Sequence, residues 1–350
     1  MALVKFSGIG IKSVSATVPK NIVETSKLLD YHSEKHLTSF IETTGVKERR
    51  IADKDMCSSD LCYDAAINLF NESDIKTEEV GALIFISQTP DYRVPGTSII
   101  MQDRLKLSKS TLAFDVNMTC SGYIYGLFLA YSLANLHGVD NVLLLVGETL
   151  SKITSKRDKS TGLLLGDGGS ATLISKGDKY GDSFFSLNTD GSSYESVIVP
   201  SGGFRNMSSE ESLADKQDEE GNIRNDEQIR MDGMDVFSFA VSKIPKDIKR
   251  LLDFAGKDIN DFDRFVFHQA NKYMMKVIGK KAKLDASKML FSIEKYGNTS
   301  GVSIPLTIAD QKAHLQNNDL LLLNGIGAGF SWGSAILNFV DCTVLNVNEL

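Results

Sequence analysis

Three residues of this chain combine a reactive side chain with a setting in which it could be used. Cys120 stands in Asn117-Met-Thr-Cys-Ser-Gly122, after a run that reads as a strand (Leu112–Val116) and just before one that reads as a helix. A thiol at such a junction feels the free N–H groups and positive end of the helix, which lower its pKa and make it a nucleophile. The plain alternative is a small core cysteine, but Thr119, Ser121 and Gly122 make the junction tight and polar. His268 opens His-Gln-Ala-Asn271 directly after the apolar Phe265-Val-Phe267. The carboxyl end of a buried strand is where α/β proteins place functional groups, although a lone histidine there is often structural. Asn298, in Tyr296-Gly-Asn-Thr-Ser-Gly301, also suits a turn or a helix N-cap. The glycine-dense run Asn324-Gly-Ile-Gly-Ala-Gly-Phe-Ser-Trp-Gly333 suggests backbone passing close to a ligand or another backbone, and could present N–H groups to an oxyanion. It lacks the strand–GxGxxG–helix setting of a dinucleotide site. Cys57, Cys62, Cys342 and the other four histidines sit in ordinary contexts, with no metal-type CxxC spacing, so no metal site is expected.

The elements that must position these residues alternate. Apolar runs bounded by turn residues (Gly81–Ser87, Asn141–Gly147, Phe265–Phe267, Asp319–Asn324) suit strands buried on both faces. Helical segments are expected at Leu61–Asn71, Gly122–Leu136, Asp235–Phe254 and Tyr273–Lys283. The class is α/β, with helices on the faces of layered sheets. At 350 residues the chain has room for two domains or two fused halves. Its net charge of −7, with no Lys/Arg cluster, argues against a nucleic-acid surface. The most apolar stretch, Ile124–Leu136, is interrupted by Gly126, Ser132 and Asn135 and is too short to span a bilayer. With no signal-peptide pattern at the start and few cysteines, a soluble cytoplasmic protein without membrane partners is expected. Residues 201–230, rich in Ser, Asp, Glu and Asn, read as a solvated excursion, with a lid as the alternative.

An internal duplication organises the whole. Anchoring on two Ser-Gly pairs lays Cys120 over Thr299 and Thr119 over Asn298, and the following helices and strands fall in register. Gly169-Ser-Ala-Thr-Leu173 then matches Gly333-Ser-Ala-Ile-Leu337, and Ile86–Pro90 matches Phe267–Asn271. The halves are expected at 1–183, carrying the cysteine, and 184–350, carrying His268 and Asn298. A pseudo-twofold would bring their strand-to-helix junctions together.

The combination of Asn-Met-Thr-Cys120-Ser-Gly, His268-Gln-Ala-Asn and Tyr-Gly-Asn298-Thr-Ser-Gly resembles the β-ketoacyl-acyl-carrier-protein synthase III family. Thr43-Thr-Gly-Val-Lys-Glu-Arg-Arg50, Gly166-Asp-Gly168 and Gly329-Phe-Ser-Trp-Gly-Ser334 extend the match in order. The resemblance implies a thiolase-like fold, two duplicated α/β halves stacked as αβαβα layers, in a homodimer. It implies an acyltransferase without a tightly bound cofactor, its substrates being thioesters of coenzyme A or of the phosphopantetheine arm of acyl carrier protein. Cys120 would take the acyl group. His268 and Asn298 would hold the enolate left when a malonyl-type thioester loses CO2, and the backbone N–H groups of Cys120 and Ala328 would hold the tetrahedral oxyanion. Val94, Phe237, Asn271 and Phe330 would line the substrate path, Val94 by reaching across the dimer interface, where acetyl-restricted relatives carry phenylalanine.

The chain departs from the family pattern at the mouth. Ser39 stands where initiators of fatty-acid synthesis stack a tryptophan on adenine, and Tyr273 where they carry a carrier-docking arginine. These departures point to a specialised pathway. Transfer of the Cys120-bound acyl group to a hydroxyl or amine, or a non-catalytic partner subunit, are the competing readings.

Overall fold

The computed structural model describes residues 2–350. Two sheets share one plan. In the first, the fully buried strand Asn141–Glu148 has Ala82–Ile86 parallel on one side and Gly168–Lys176 antiparallel on the other, with Ile9–Val18 antiparallel beyond. In the second, Asp319–Gly327 is flanked in the same way by Arg264–Phe267 and Ser331–Phe339, with Asp182–Thr189 beyond. The duplication holds at single-residue level, since Gly147 faces Gly169 across one hairpin and Gly325 faces Gly333 across the other. The outer strand Leu112–Val116 of the first sheet is reduced in the second to one bridge, Phe265 to Met289.

Helices Gly122–Ala134 and Ser303–Asp310 lie between the sheets. The first is apolar on nearly its whole circumference, buried on the faces toward the sheets and half-buried along Tyr125, Phe128, Leu129 and Leu133. Ser58–Asn71 and Thr97–Arg104 cover the outside of the first sheet, and Gly233–Ala255 and Lys272–Lys281 that of the second. The layering is αβαβα. Among the described residues no helix is long and apolar enough to cross a membrane.

Two expectations change. The division at 183/184 falls inside Asp182–Thr189, and each terminus crosses over: Ala2–Ser7 pairs with Asp182–Thr189, while Thr343–Val344 and Asn348–Glu349 pair with Ile9–Val18. The halves therefore interlock through their edge strands. Residues 201–230 are also more than a solvated loop. They form a short helix, Glu210–Leu213, and a ribbon, Lys216–Gln217 with Ile223–Arg224. Arg224 anchors them by bridging Asp218 (2.8 Å) and the fully buried Asp158 (3.1 Å), and the Ile229 amide donates to the Ile153 carbonyl at 2.8 Å. Residues 203–211 and 213–217 are nonetheless exposed, as the polar composition implies.

Candidate active site

The duplicated junctions meet in one cavity of about 220 Å³. Cys120, His268 and Asn298 all line it, with Ser300, Thr119 and Gln88 as further polar members. Apart from Thr161 and Asn271, the rest of the wall is apolar, including Leu150, Leu165, Ile198, Ile229, Val236 and Phe330.

Each polar group has an identifiable support. Cys120 precedes the central helix, whose cap residue Ser121 is fully buried and hydrogen-bonded to Ser331 Oγ at 2.7 Å. The glycine loop lies directly over this turn. A Cβ on Gly327 would fall 2.4 Å from Thr119 Oγ1, so only glycine admits the approach. The Thr119 hydroxyl thereby reaches the Ala328 amide, which donates to it at 2.9 Å. Ala328 itself lines the cavity. The next amide, that of Gly329, donates to no group among the described residues, and φ of +129° reserves the position for glycine.

His268 is buried at the end of Arg264–Phe267, its amide donating to the Asn324 carbonyl at 2.8 Å. Ser303 Oγ lies 2.7 Å from His268 Nδ1 and accepts from the Gln269 amide at 3.2 Å. When the Ser303 hydroxyl donates to Nδ1, the ring proton sits on Nε2. Burial pulls the imidazole down to about 4, against a contact with the Ser300 backbone, so the ring is neutral at pH 7. Asn298 is oriented by the Ser300 amide, which donates to its Oδ1 at 2.8 Å and leaves the NH2 group free to donate. Backbone bonds from the Asn298 amide to Leu164 (2.9 Å) and from the Gly166 amide to Asn298 (3.0 Å) tie it to the first half.

The thiol differs from expectation. Burial pushes Cys120 up to about 11, opposed by the Ser300 contact and reinforced by the Glu148 carboxylate. Desolvation thus works against the lowering expected from the helix terminus.

Of the residues expected along the substrate path, Phe237, Asn271 and Phe330 line the cavity. Asn271 also caps its helix, accepting from the Met274 amide at 3.1 Å. Val94 lies elsewhere, 84% exposed beside Arg93, which stacks over the exposed Phe204 ring. Ser303, Ser300 and Glu148 were not singled out from sequence. Glu148 alone had a visible signal, a carboxylate closing the apolar run Val142–Val146.

Residues 114–191 match the family model described as 3-oxoacyl-acyl-carrier-protein synthase III, and residues 252–339 match its C-terminal counterpart. A β-ketoacyl-acyl-carrier-protein synthase III of Fusobacterium nucleatum is 33% identical, with 95% of this chain and 98% of the relative covered. The chain belongs to the 3-oxoacyl-acyl-carrier-protein synthase III family. A synthase III of Clostridioides difficile is 32% identical over 94% of this chain and 98% of its own length. The crystal structure of a 3-oxoacyl-acyl-carrier-protein synthase from Burkholderia xenovorans superimposes with a TM-score of 0.93 at 35% identity, covering 100% of this chain and 99% of that one. As a synthase III, the protein is an acyltransferase-type condensing enzyme with a thiolase-like fold.

Proposed function

We propose that this synthase III accepts acyl groups longer or more branched than acetyl and works in a specialised pathway. A coenzyme A or carrier-protein thioester would load Cys120, and a malonyl-type carrier-protein thioester would extend it. The observation that carries this reading is the cavity itself, in which a thiol and two oriented neutral donors share one apolar chamber.

The chemistry follows from the side chains. Cys120 Sγ attacks the donor carbonyl, and collapse of the tetrahedral intermediate expels the donor thiol and leaves the acyl group on sulfur. The extender binds next and loses CO2. The electron pair moves onto the thioester oxygen, where His268 Nε2–H and the Asn298 NH2 group donate to it. The enolate carbon then attacks the acyl-Cys120 carbonyl, forming the C–C bond and releasing Cys120. The Cys120 and Ala328 amides are the donors assigned to the tetrahedral oxyanions.

The active unit is read as a homodimer. Leu112–Val116 is an outer edge strand with Leu112 exposed, and Tyr92 and Val94 are exposed nearby in sequence. In this reading Val94 reaches the partner's cavity.

Intact-protein mass spectrometry after exposure to acyl thioesters from acetyl to octanoyl tests the donor. A mass gain that Cys120→Ala abolishes is expected with the longer groups, and loading by acetyl alone would refute the length assignment. Product mass and CO2 release with a malonyl thioester distinguish condensation from transfer to a hydroxyl or amine.

A further inference from the structure

The helix Gly233–Ala255 serves two cavities. Gly233, Val236 and Phe237 line the chamber that holds Cys120. Further along, Lys243, Lys246, Asp247 and Arg250 line a separate pocket of about 550 Å³, with Trp332, Tyr125 and Leu187 as its aromatic and apolar side. An aromatic partition divides the two. Phe330 on the chamber side and Trp332 on the pocket side both pack on Phe239, their ring centroids 4.3 and 5.1 Å from it.

Lys243, Lys246 and Arg250 are spaced by three and four residues, which puts them on one face of the helix, where like charges repel. Asp247 is the one acid in the wall, and it does not relieve the lysines. Its carboxylate is turned into the sheet, accepting from Ser186 Oγ (2.6 Å), Asn188 Nδ2 (2.8 Å) and Ser334 Oγ (2.8 Å), and it pairs with Arg250 at 3.2 Å. Asn188 is spent as well, its Oδ1 accepting from Arg250 Nη2 at 3.0 Å. Donors, by contrast, are left over. Only Nη2 of Arg250 is engaged, and its Nε is buried without an acceptor. Neither lysine forms an ion pair among the described residues, Lys243 lying over the Phe239 ring at 5.6 Å. Asp190 feels Lys243 from outside the wall, but its Oδ1 is held by the Ser192 hydroxyl at 2.6 Å. Three cations against one spent carboxylate leave the wall two positive charges in excess.

We propose that this pocket binds an organic phosphate, with the phosphate on the Lys243, Lys246 and Arg250 donors and an aromatic or apolar body against Trp332 and Tyr125. A phosphate monoester carries about −1.5 to −2 charges at neutral pH and offers acceptor oxygens to a wall that has only donors to spare. A single carboxylate leaves one of the excess charges unmatched. The site lies outside the chamber and does not rest on the chemistry assigned to Cys120.

Trp332 is the single tryptophan, so its fluorescence reports on this wall. Phenyl phosphate, benzoate and benzyl alcohol are titrated into the intact protein at low salt. Phenyl phosphate should give a saturable change, benzoate should bind on the order of tenfold more weakly, and benzyl alcohol should not bind. Added salt should weaken the phosphate. Replacing both lysines, Lys243→Gln with Lys246→Gln, should weaken phenyl phosphate on the order of 10²-fold. Both side chains are exposed, so far-ultraviolet circular dichroism should be unchanged. Cys120→Ala should titrate as the wild type does. Competition with adenosine 5′-phosphate and with coenzyme A distinguishes a free nucleotide from the nucleotide end of a thioester, and displacement by either supports the site. No saturable change with phenyl phosphate, equal affinity for benzyl alcohol, or wild-type affinity in the folded double variant would overturn the proposal.

Discussion

A neutral His268 is the premise of the enolate-holding role, and it has a measurable consequence for stability. The unfolded imidazole titrates near 6.5 and the folded one near 4. Between those values the unfolded chain binds a proton that the folded chain refuses, so stability falls as pH drops through this window and is unaffected above it. At about 1.4 kcal/mol per pH unit, the separation amounts to roughly 3 kcal/mol lost between pH 6.5 and 4. The wild type alone does not isolate this, because Glu148 acts in the opposite sense: its raised pKa favours the folded state as pH falls from about 8 to 4.5. The useful quantity is the difference in unfolding free energy between wild type and His268→Gln, in which the Glu148 contribution cancels. Urea titrations followed by fluorescence of the single tryptophan, the buried Trp332 packed edge-on against Phe239, measure it. The wild-type advantage should be constant from pH 7 to 8 and shrink by roughly 3 kcal/mol on reaching pH 4. A constant difference across the whole range would show that folding leaves the imidazole pKa unchanged, and the burial argument for a ring held neutral would fail with it.

His268→Ala and Asn298→Ala should each lower decarboxylative condensation about 10²–10³-fold while retaining most acylation of Cys120, as CO2 release and intact mass will show; equal loss of acylation contradicts the division of roles. Val94→Phe and Leu165→Phe should both shift acylation toward shorter chains. Leu165 acts from the cavity wall and Val94 only if the partner contributes it. Each excluded methylene weakens binding by about 0.8 kcal/mol, so hexanoyl should suffer more than butyryl in competition assays; a Val94→Phe profile equal to wild type removes Val94 from the pocket. Arg224→Ala leaves Asp158 buried without its cation, and should lower stability by about 3 kcal/mol in urea titration and weaken acyl loading by loosening Ile229.

The fold was legible because its signals are local and repeated. Apolar runs such as Asn141–Gly147 and Asp319–Asn324 can only be strands buried on both faces, and their repetition with matching Gly-Ser-Ala partners gave the two-sheet plan. The site residues at strand ends were legible for the same reason. What escaped depends on distance in three dimensions. Nothing in the sequence near Ala328 says that Thr119, 209 positions away, will take its amide proton. Nor does Ser303, one hydroxyl at the start of an apolar helix, announce that it will meet His268 Nδ1. The termini misled for a related reason: strand exchange between sheets leaves no mark in composition, so Ala2–Ser7 reads as belonging to the half that follows it.

The thiol pKa was the instructive difference. Reading Cys120 from its helix terminus considers one favourable field, whereas the cavity that must hold an apolar acyl chain also strips water from every ionisable group in its wall. Desolvation raises the Cys120 thiol, lowers His268 and raises Glu148, each toward its uncharged form. For a condensing enzyme the result is coherent. A permanently ionised Cys120 would be exposed to alkylation and oxidation between turnovers, and a protonated His268 would add a charge to a chamber built for hydrocarbon. Neutral groups avoid both. The same apolar wall that would hold an acyl chain therefore holds the ionisable groups around it toward their uncharged forms.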